Sequence, residues 1–250
     1  MPARLRIFLI RHAESLGNLD RAVYHALPDH RIPLSPAGHL QAQQAGAFLR
    51  SWLTENPPVD RCRLWYSPYA RTHGTAQEIL TQLGRRGDGG LVDDARPNLH
   101  LIEQRFGLFD GLWEDEMETR LPLEYAHYQR TRAHGGRFWA MMPEGDSPYD
   151  VAVRVHQSFA TFHADAEAGV RDVIIVSHGV TIRAFLMMWL RLDPDWYEAE
   201  HNPLNCSIRV IEGAGDVYVD RGYIYAGFPK RPEVLRNEQG GGPAGGPRTG

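Results

Sequence analysis

The stretch Leu5-Arg-Ile-Phe-Leu-Ile10, followed at once by Arg11-His12-Ala13-Glu14-Ser15, is the most informative part of the chain for its fold. Its first six residues are mostly apolar and include β-branched side chains, a pattern typical of a strand buried on both faces. Val173-Ile-Ile-Val176 has the same character and predicts a second such strand. Weaker strand candidates are residues 63–66, 98–101, 207–211 and 217–221.

Helix signals lie between these strand candidates. Ser35-Pro36 is typical of an N-cap followed by proline at the first helical position. Ser147-Pro148 repeats the signal, with Asp150 at the third position. A third helix is expected to begin just after His178. Strands that alternate with helices of this length predict an α/β domain with a largely parallel sheet.

Residues 110–143 differ from the rest of the chain. They are rich in aromatic and charged side chains and carry no strand signal, so we expect a helical insertion over one end of the sheet. We expect one domain over residues 1–238 and a disordered Gly/Pro tail over 239–250. By position alone, the side chains that offer specificity contacts in or near the insertion are Arg105, Arg120, Tyr125, Arg137 and Trp139.

Composition narrows the range of functions. A length of 250 residues and a net charge of −4 suit one ordinary soluble domain, and they argue against nucleic acid as a partner. No run approaches the ~20 apolar residues that cross a bilayer, so no membrane association is expected. The apolar run near the start is too short for a secretion signal. Two cysteines, Cys62 and Cys206, with no CxxC spacing favour a reducing cytoplasm.

Two histidines follow the two most apolar strand candidates. Arg11-His12 comes directly after the first, and Ser177-His178-Gly179 comes directly after the second. In parallel α/β sheets, ligands bind beyond the carboxyl ends of the strands. One histidine at such a place is more often structural than catalytic. Two of them predict a shared crevice in which chemistry takes place.

Two further segments add charged groups. Arg71 opens a helix after the strand candidate at 63–66, where free backbone N–H groups favour anions. Glu103 is flanked by apolar residues and is either a buried acid with a raised pKa or a loop glutamate paired with Arg105. Two guanidiniums, two imidazoles and one acid, without thiol or metal-ligand spacing, suit phosphoryl transfer. We therefore expect neither a metal nor a cofactor.

In this set of motifs the chain resembles the histidine phosphatase superfamily, which includes the cofactor-dependent phosphoglycerate mutases. The motifs occur in the family's order between about residues 5 and 185. More narrowly, the chain looks like a mutase-like branch that includes a broad-range acid phosphatase. The segments that carry the resemblance are 11–15 with Asn18, 33–41, Ser67 to Ala76, 101–107, 144–154 and 177–179, and for the narrower branch 28–34, 137–139 and 202–206.

The resemblance implies a three-layer α/β/α sandwich of the phosphoglycerate mutase type and a role for each matching position. His12 would be the nucleophile that forms a phosphohistidine, and Glu103 would protonate the leaving group and then activate water. Ala13 departs from the family, which usually has glycine there, without disabling the site. The positions implied in phosphate binding are Arg11, Asn18, Arg71, His178 and Gly179.

Three functions remain open from the sequence. Hydrolysis of a small phosphomonoester, such as a sugar or glycolytic phosphate, is favoured; aromatic side chains lining the pocket would instead favour aryl esters. The mutases carry Arg-His-Tyr-Gly after their catalytic glutamate, whereas this chain has Gln104-Arg105-Phe106-Gly107. A phosphoglycerate mutase-type transfer is therefore the alternative, and a non-catalytic module that binds phosphorylated ligands is the third. The oligomeric state has no signal in the sequence.

Overall fold

A six-stranded sheet forms the centre of the protein. The structure is a computed structural model that describes residues 4–56 and 61–229. The strand order is β3-β2-β4-β1-β5-β6. β1 to β4 are mutually parallel, and β5 runs antiparallel to both of its neighbours, so the predicted, mostly parallel α/β sheet is confirmed. The strands are β1 Arg4–Arg11, β2 Arg61–Tyr66, β3 Asp94–Pro97, β4 Val170–Ser177, β5 Ile208–Ala214 and β6 Val217–Tyr225.

Helices cover both faces of the sheet. The long helices α3 and α4 pack on one face, where their apolar side chains meet Phe8 and Ile174. Helices α7, α8 and α9 pack on the other, against Ile7 and Ile175. No helix in the part of the chain that the structure describes is long and apolar enough to cross a membrane. The helices are α1 Leu16–Leu19, α2 Val23–Ala26, α3 Pro36–Glu55, α4 Ala70–Leu83, α5 Glu114–Arg120, α6 Pro122–Gly135, α7 Pro148–His156, α8 Phe159–Glu167, α9 Gly179–Leu190 and α10 Pro194–Ala199.

The three predicted helix starts are confirmed. The Ser35 hydroxyl accepts a hydrogen bond from the Gly38 N–H at 2.9 Å and so caps α3. The Ser147 hydroxyl accepts one from the Asp150 N–H at 3.2 Å, and the Asp150 carboxylate accepts the Ser147 N–H in return. Helix α9 begins at Gly179, with His178 as its N-cap residue. Caps of this kind satisfy backbone N–H groups that a helix leaves unpaired.

The strand predicted at 98–101 is wrong, because β3 ends one residue before it, at Pro97. The Asn98 side chain accepts a hydrogen bond from the backbone N–H of His100 at 2.9 Å. This local bond turns the chain into a 3₁₀ turn, Leu99–Leu101. Asparagine competes with the ladder of a sheet in this way because its side chain is short and polar. The turn brings the following residues over the end of the sheet.

Residues 110–143 contain α5 and α6 and no strand, as the absence of a strand signal predicted. The two ends of this segment lie side by side, because the Leu108 N–H donates to the Pro143 carbonyl at 2.9 Å and the Asp146 N–H donates to the Arg105 carbonyl at 2.8 Å. Gly107 has a φ of 59°, and a Cβ there would overlap the Pro143 carbonyl oxygen. The boundary expected at residue 238 and the tail expected over 239–250 lie outside the described residues.

The contact of Gly38 with the loop after β1 gives a test of this packing. A Cβ at Gly38 would overlap the carbonyl oxygen of Glu14, whereas a Cβ at Gly87 would meet nothing within 4 Å. Gly38→Ala is expected to lower the free energy of unfolding by about 1–3 kcal/mol, the usual cost of overpacking. Urea denaturation of Gly38→Ala and of Gly87→Ala checks this. Equal stability of the two variants would contradict the packing.

Candidate active site

The carboxyl ends of β1, β4 and β2 meet at one edge of the sheet. The backbone N–H of His12 donates to the Ser177 carbonyl at 2.9 Å, and the N–H of Ser67 donates to the Val176 carbonyl at 3.0 Å. These two bonds continue the ladders beyond the last strand residues. His178 follows directly as the first residue before α9. The two histidines predicted to share a crevice are therefore brought together.

The His12 imidazole is buried and held in one orientation. Its ring centroid lies 5.3 Å from that of His178, with the two planes at 62°. Its Nδ1 lies 2.8 Å from the Ala13 carbonyl, which can only accept, so Nδ1 carries the proton. In a neutral ring, Nε2 then keeps its lone pair. The Asn205 amide holds the backbone beside it by donating to the His12 carbonyl at 2.8 Å.

His178 is fully buried between polar neighbours. Its Nε2 lies 2.8 Å from the Ser67 hydroxyl, and the Tyr69 ring packs edge-on with 5.1 Å between centroids. Its Nδ1 is buried and makes no hydrogen bond within residues 4–56 and 61–229. A buried imidazole nitrogen without a protein partner is normally paired with water or with a bound ion or ligand.

Both imidazoles are neutral at ordinary pH. Burial lowers the pKa of His12 well below its usual 6.5, and the positive charges of Arg71 and Arg11 lower it further. Burial lowers the pKa of His178 in the same way, again with Arg71 as the next cause. Neutral rings beside two guanidiniums keep the positive charge of the site on the arginines.

The two arginines have different partners. Arg11 donates through Nη1 to the Pro203 carbonyl at 2.6 Å, and its buried Nε makes no hydrogen bond with any described residue. Arg71 forms a forked ion pair with Asp29, with contacts of 2.7 and 3.2 Å to the two carboxylate oxygens. Burial alone would lower the pKa of Arg71, but Asp29 raises it. Among the described residues, Arg11 therefore has no ion pair with a carboxylate, whereas Arg71 has one.

Glu103 is buried, as the first of its two sequence interpretations required. Its Oε1 accepts hydrogen bonds from the Gln104 N–H at 3.0 Å and from the Thr181 hydroxyl at 3.2 Å. Burial raises the pKa of this carboxyl, although the Gln104 N–H and then Arg71 and Arg11 act in the opposite direction. The alternative interpretation, a pair with Arg105, is wrong: Arg105 binds a different carboxylate, Asp146.

A network of charged side chains fixes the backbone of Glu103. Arg154 donates to the Ile102 and Glu103 carbonyls at 3.1 and 3.0 Å. Asp146 holds Arg154 at 2.9 Å and Arg105 at 2.6 Å, and together these bonds hold the pKa of Asp146 below its usual value despite burial. Charge-assisted bonds of this kind restrict motion more than neutral ones. By binding these main-chain carbonyls, Arg154 therefore helps to fix the position of the Glu103 carboxyl.

Asn18 and Gly179 lie at the same edge of the sheet. The Asn18 carbonyl oxygen accepts hydrogen bonds from the Ser15 N–H at 3.1 Å and from the Asn205 amide at 3.4 Å. Within the described ranges its amide N–H groups have no such bond, so they remain available as donors. Gly179 is the first residue of α9, where backbone N–H groups are unpaired within the helix. A Cβ there would come within 3.0 Å of the Asn202 side chain.

The specificity contacts expected from residues 105–139 are mostly used within the protein. Arg137 donates to the carbonyls of Tyr197 and Glu198, both at 2.8 Å. The Tyr125 hydroxyl donates to Glu114 at 2.8 Å. Trp139 is half exposed and packs against Tyr149. Arg105 is bound to Asp146 and Arg120 lies 3.8 Å from Glu116. These bonds suit a structural role for the segment.

Three residues that support the site lie in segments quoted from the sequence (28–34, 67–76 and 202–206), but their roles were not predicted. Asn205 supports His12 from 193 positions further along the chain, and no local spacing connects the two. Asp29 belongs to a quoted motif, but nothing in that motif indicates its pairing with Arg71. Thr75 accepts the Ala13 N–H at 3.0 Å and donates to the Arg71 carbonyl, so it joins two of the predicted segments. Its place one turn after Arg71 on α4 is the signal that could have found it.

The assembled groups suit phosphoryl transfer. Guanidiniums match phosphate oxygens, a neutral imidazole is a nucleophile at neutral pH, and a carboxyl with a raised pKa is a proton donor. Among residues 4–56 and 61–229, no three His, Cys, Asp or Glu side chains are grouped so as to hold a metal ion. The cationic groups that this part of the chain brings to the crevice are arginines.

The chain belongs to the histidine phosphatase superfamily (branch 1), whose sequence model matches residues 7–220. Members of this superfamily are phosphatases or mutases. The family predicted from the motifs is therefore confirmed.

Relatives of both kinds are similar to the chain. It is 37% identical to the phosphoglycerate mutase-like protein AT74 of Arabidopsis thaliana over 85% of this chain and 66% of that protein, just under two thirds of its length. It is 26% identical to the broad-range acid phosphatase DET1 of Saccharomyces cerevisiae over 82% of this chain and 84% of that one. The fold is similar to that of the alpha-ribazole phosphatase from Shigella flexneri, with a TM-score of 0.66, 18% identity and coverage of 90% and 98%.

The lowered histidine pKa values predict how stability depends on pH. Below about pH 6.5 the unfolded chain takes up protons at His12 and His178 while the folded chain does not. The free energy of unfolding therefore decreases as the pH is lowered. Each ring contributes a slope of at most about 1.4 kcal/mol per pH unit. His178→Gln is expected to remove one contribution, measured by urea denaturation at several pH values. An unchanged slope would show that His178 is protonated in the folded protein.

Proposed function

We propose that the protein is a phosphatase that hydrolyses small phosphomonoesters through a phosphohistidine on His12. The observation that carries this proposal is the orientation of one ring. The His12 Nδ1 proton is held by the Ala13 carbonyl at 2.8 Å, and the ring stays neutral because it is buried beside two arginines. Its Nε2 is therefore a nucleophile ready for phosphorus.

The reaction proceeds in two displacements. Nε2 of His12 attacks phosphorus, the bond from phosphorus to the ester oxygen breaks, and the Glu103 carboxyl gives its proton to the departing oxygen. Water then attacks phosphorus opposite the phosphorus–nitrogen bond, from the side that the alcohol has left; that bond breaks, and the Glu103 carboxylate takes the water proton. Inorganic phosphate leaves, and both residues return to their starting states.

Fixed donors stabilise the charge that spreads over the phosphoryl oxygens. Arg11 and Arg71 provide guanidiniums, His178 provides a ring nitrogen, and Gly179 provides an N–H at the start of α9. The buried Nε of Arg11 and Nδ1 of His178, which have no hydrogen bond among the described residues, support this assignment. Donors already aimed at the transition state need no reorganisation. Asn18 would add a polar contact from the wall of the site.

Hydrolysis is favoured over transfer to a second hydroxyl group. A mutase needs cations around the non-reacting part of an anionic substrate. Arg105, which follows Glu103 in the chain, is bound to Asp146 by two contacts of 2.9 and 2.6 Å. A phosphoenzyme that persists for minutes would instead indicate phosphoglycerate mutase-type transfer, and absence of any phosphoenzyme would indicate a binding module.

We further propose a cytoplasmic location and a single catalytic domain over residues 1–238. The state of the two cysteines supports the location. Cys62 and Cys206 are both buried and unpaired, as is usual for cysteines in a reducing compartment. The family match over residues 7–220 supports one catalytic unit.

Replacement of the nucleophile tests the proposal. His12→Ala is expected to abolish both turnover of para-nitrophenyl phosphate and the acid-labile phosphoenzyme seen on rapid quench, because no other described group provides the covalent route. The same substitution at exposed His134 is the matched control and should leave both unchanged. Turnover by His12→Ala at a rate near that of the control would refute the nucleophile.

The pH profile tests Glu103. Activity requires a protonated Glu103 and a neutral His12, so kcat/KM should fall at high pH as the raised Glu103 pKa is passed and at low pH as His12 is protonated. Glu103→Gln is expected to lose about 10²–10⁴-fold in kcat/KM for an alkyl phosphate. The loss should be much smaller for para-nitrophenyl phosphate, whose phenolate leaves without protonation. Equal losses for both esters would rule out Glu103 as the acid.

A further inference from the structure

The ion pair of Arg71 with Asp29 is the feature that the proposed chemistry does not use. Asp29 lies in a 3₁₀ turn, Asp29–Arg31, whose backbone and side chain both reach Arg71. Arg71 Nη1 donates to the Asp29 main-chain carbonyl at 2.8 Å and to its carboxylate at 2.7 Å. The two side chains are 5% and 17% exposed. The pair is thus nearly dry, where charges interact strongly.

This pair changes the charge that the site offers to a substrate. A phosphoryl group carries up to two negative charges, and the site has two guanidiniums, Arg11 and Arg71. The Asp29 carboxylate already balances one of them. A phosphate dianion bound to both arginines therefore leaves a net negative charge around the ester, before any charge on the alcohol part is counted.

A second carboxyl, that of Asp110, interacts with the first through its charge. Asp110 stands at the start of residues 110–143, and burial first and then the charge of Asp29 raise its pKa to about 6, whereas Arg71 lowers it. Tyr24 also interacts electrostatically with Asp29 and Asp110. A Cβ at Gly111 would come within 2.5 Å of the Tyr24 Cβ, which shows how closely the turn after Asp110 packs on α2.

Two nearby cations, Arg21 and Arg120, are already engaged. Arg21 donates to the Leu112 carbonyl at 2.6 Å, and its guanidinium lies 3.8 Å from the centre of the Trp113 ring. Arg120, which lines a cleft with Asp110, lies 3.8 Å from Glu116. Neither offers an unopposed charge to an anionic group on the substrate. The carboxylates of Asp29 and Asp110, in contrast, can accept hydrogen bonds from hydroxyl or ammonium groups of a substrate.

We propose that Asp29, through its ion pair with Arg71 and together with Asp110, restricts substrates to phosphomonoesters whose alcohol part carries no anionic group. Alcohols that bear hydroxyl or ammonium groups are the class this arrangement selects. The inference rests on the proposed phosphatase function and defines its substrate class. It makes Asp29 a specificity-determining residue, since the reaction itself proceeds on His12.

Two substrates with the same carbon skeleton test the proposal. Glycerol 3-phosphate and 3-phosphoglycerate differ by a hydroxymethyl group in place of a carboxylate. At neutral pH the wild-type protein is expected to show a kcat/KM for glycerol 3-phosphate that is at least on the order of tenfold higher. Equal values, or a preference for 3-phosphoglycerate, would overturn the inference.

Two variants connect the preference to its residues. Asp29→Asn and Asp110→Asn are each expected to reduce the ratio of the two kcat/KM values several-fold. Asp88→Asn, which removes an exposed carboxylate beyond the far end of α4, is the matched control and should keep the wild-type ratio. An unchanged ratio in both test variants would overturn the inference. So would an Asp29→Asn protein that is folded but has lost activity on both esters equally, since Asp29 would then only position Arg71.

Phosphoenzyme formation separates this inference from the proposed function. Rapid quench with each substrate measures how much phosphohistidine the wild-type protein forms. Phosphohistidine that forms equally fast from both esters contradicts only the selection by Asp29. Its absence with both esters and with para-nitrophenyl phosphate contradicts the proposed function, and the inference fails with it. If Asp29→Asn does not fold, the wild-type ratio and Asp110→Asn decide.

Discussion

Two backbone hydrogen bonds at the end of β4 support the rest of the candidate site. The last carbonyls of this central strand, those of Val176 and Ser177, accept the N–H groups of Ser67 and His12. Three segments that are far apart in sequence therefore leave the sheet at one level. Because β4 lies between β1 and β2, no side chain is needed to bring the segments together. The geometry of a parallel sheet places the imidazoles, and local bonds then orient them.

Burial and charge act together in this crevice. Removal of water from the rings favours their neutral forms, and the two guanidiniums favour the same forms by repulsion. For Glu103, burial outweighs the attraction of those guanidiniums, so the pKa of its carboxyl is higher than that of a glutamate in water. The site thus combines fixed positive charges with two neutral imidazoles and a carboxyl whose pKa is raised. Such an arrangement costs stability, which buried partners such as Asp29 and the Pro203 carbonyl offset.

The sequence predicts the parts of this structure that follow from local rules. Periodic apolar strands, helix caps at Ser35 and Ser147, and histidines at two strand ends each have a cause within a few residues. The strand expected at 98–101 is wrong because one Asn98 side-chain bond outcompetes the ladder. Asn205 and the Asp29–Arg71 pair were not foreseen because they arise from tertiary contacts. Residue type shows that a group can accept or donate, and only the fold determines which partner it meets.

The close contact between the two ends of residues 110–143 has a consequence for how such proteins diversify. Leu108 is joined to Pro143, and Arg105 to Asp146, close to Glu103 in the chain. Everything between these junctions leaves and returns at the same point, so changes in its exposed side chains need not displace Glu103. Natural variation, or deliberate grafting from a homologue, can therefore change the exposed part of the segment, provided that buried residues such as Tyr128 and Phe138 are kept. Such a change would alter the range of substrates and leave the residues of the candidate site in place.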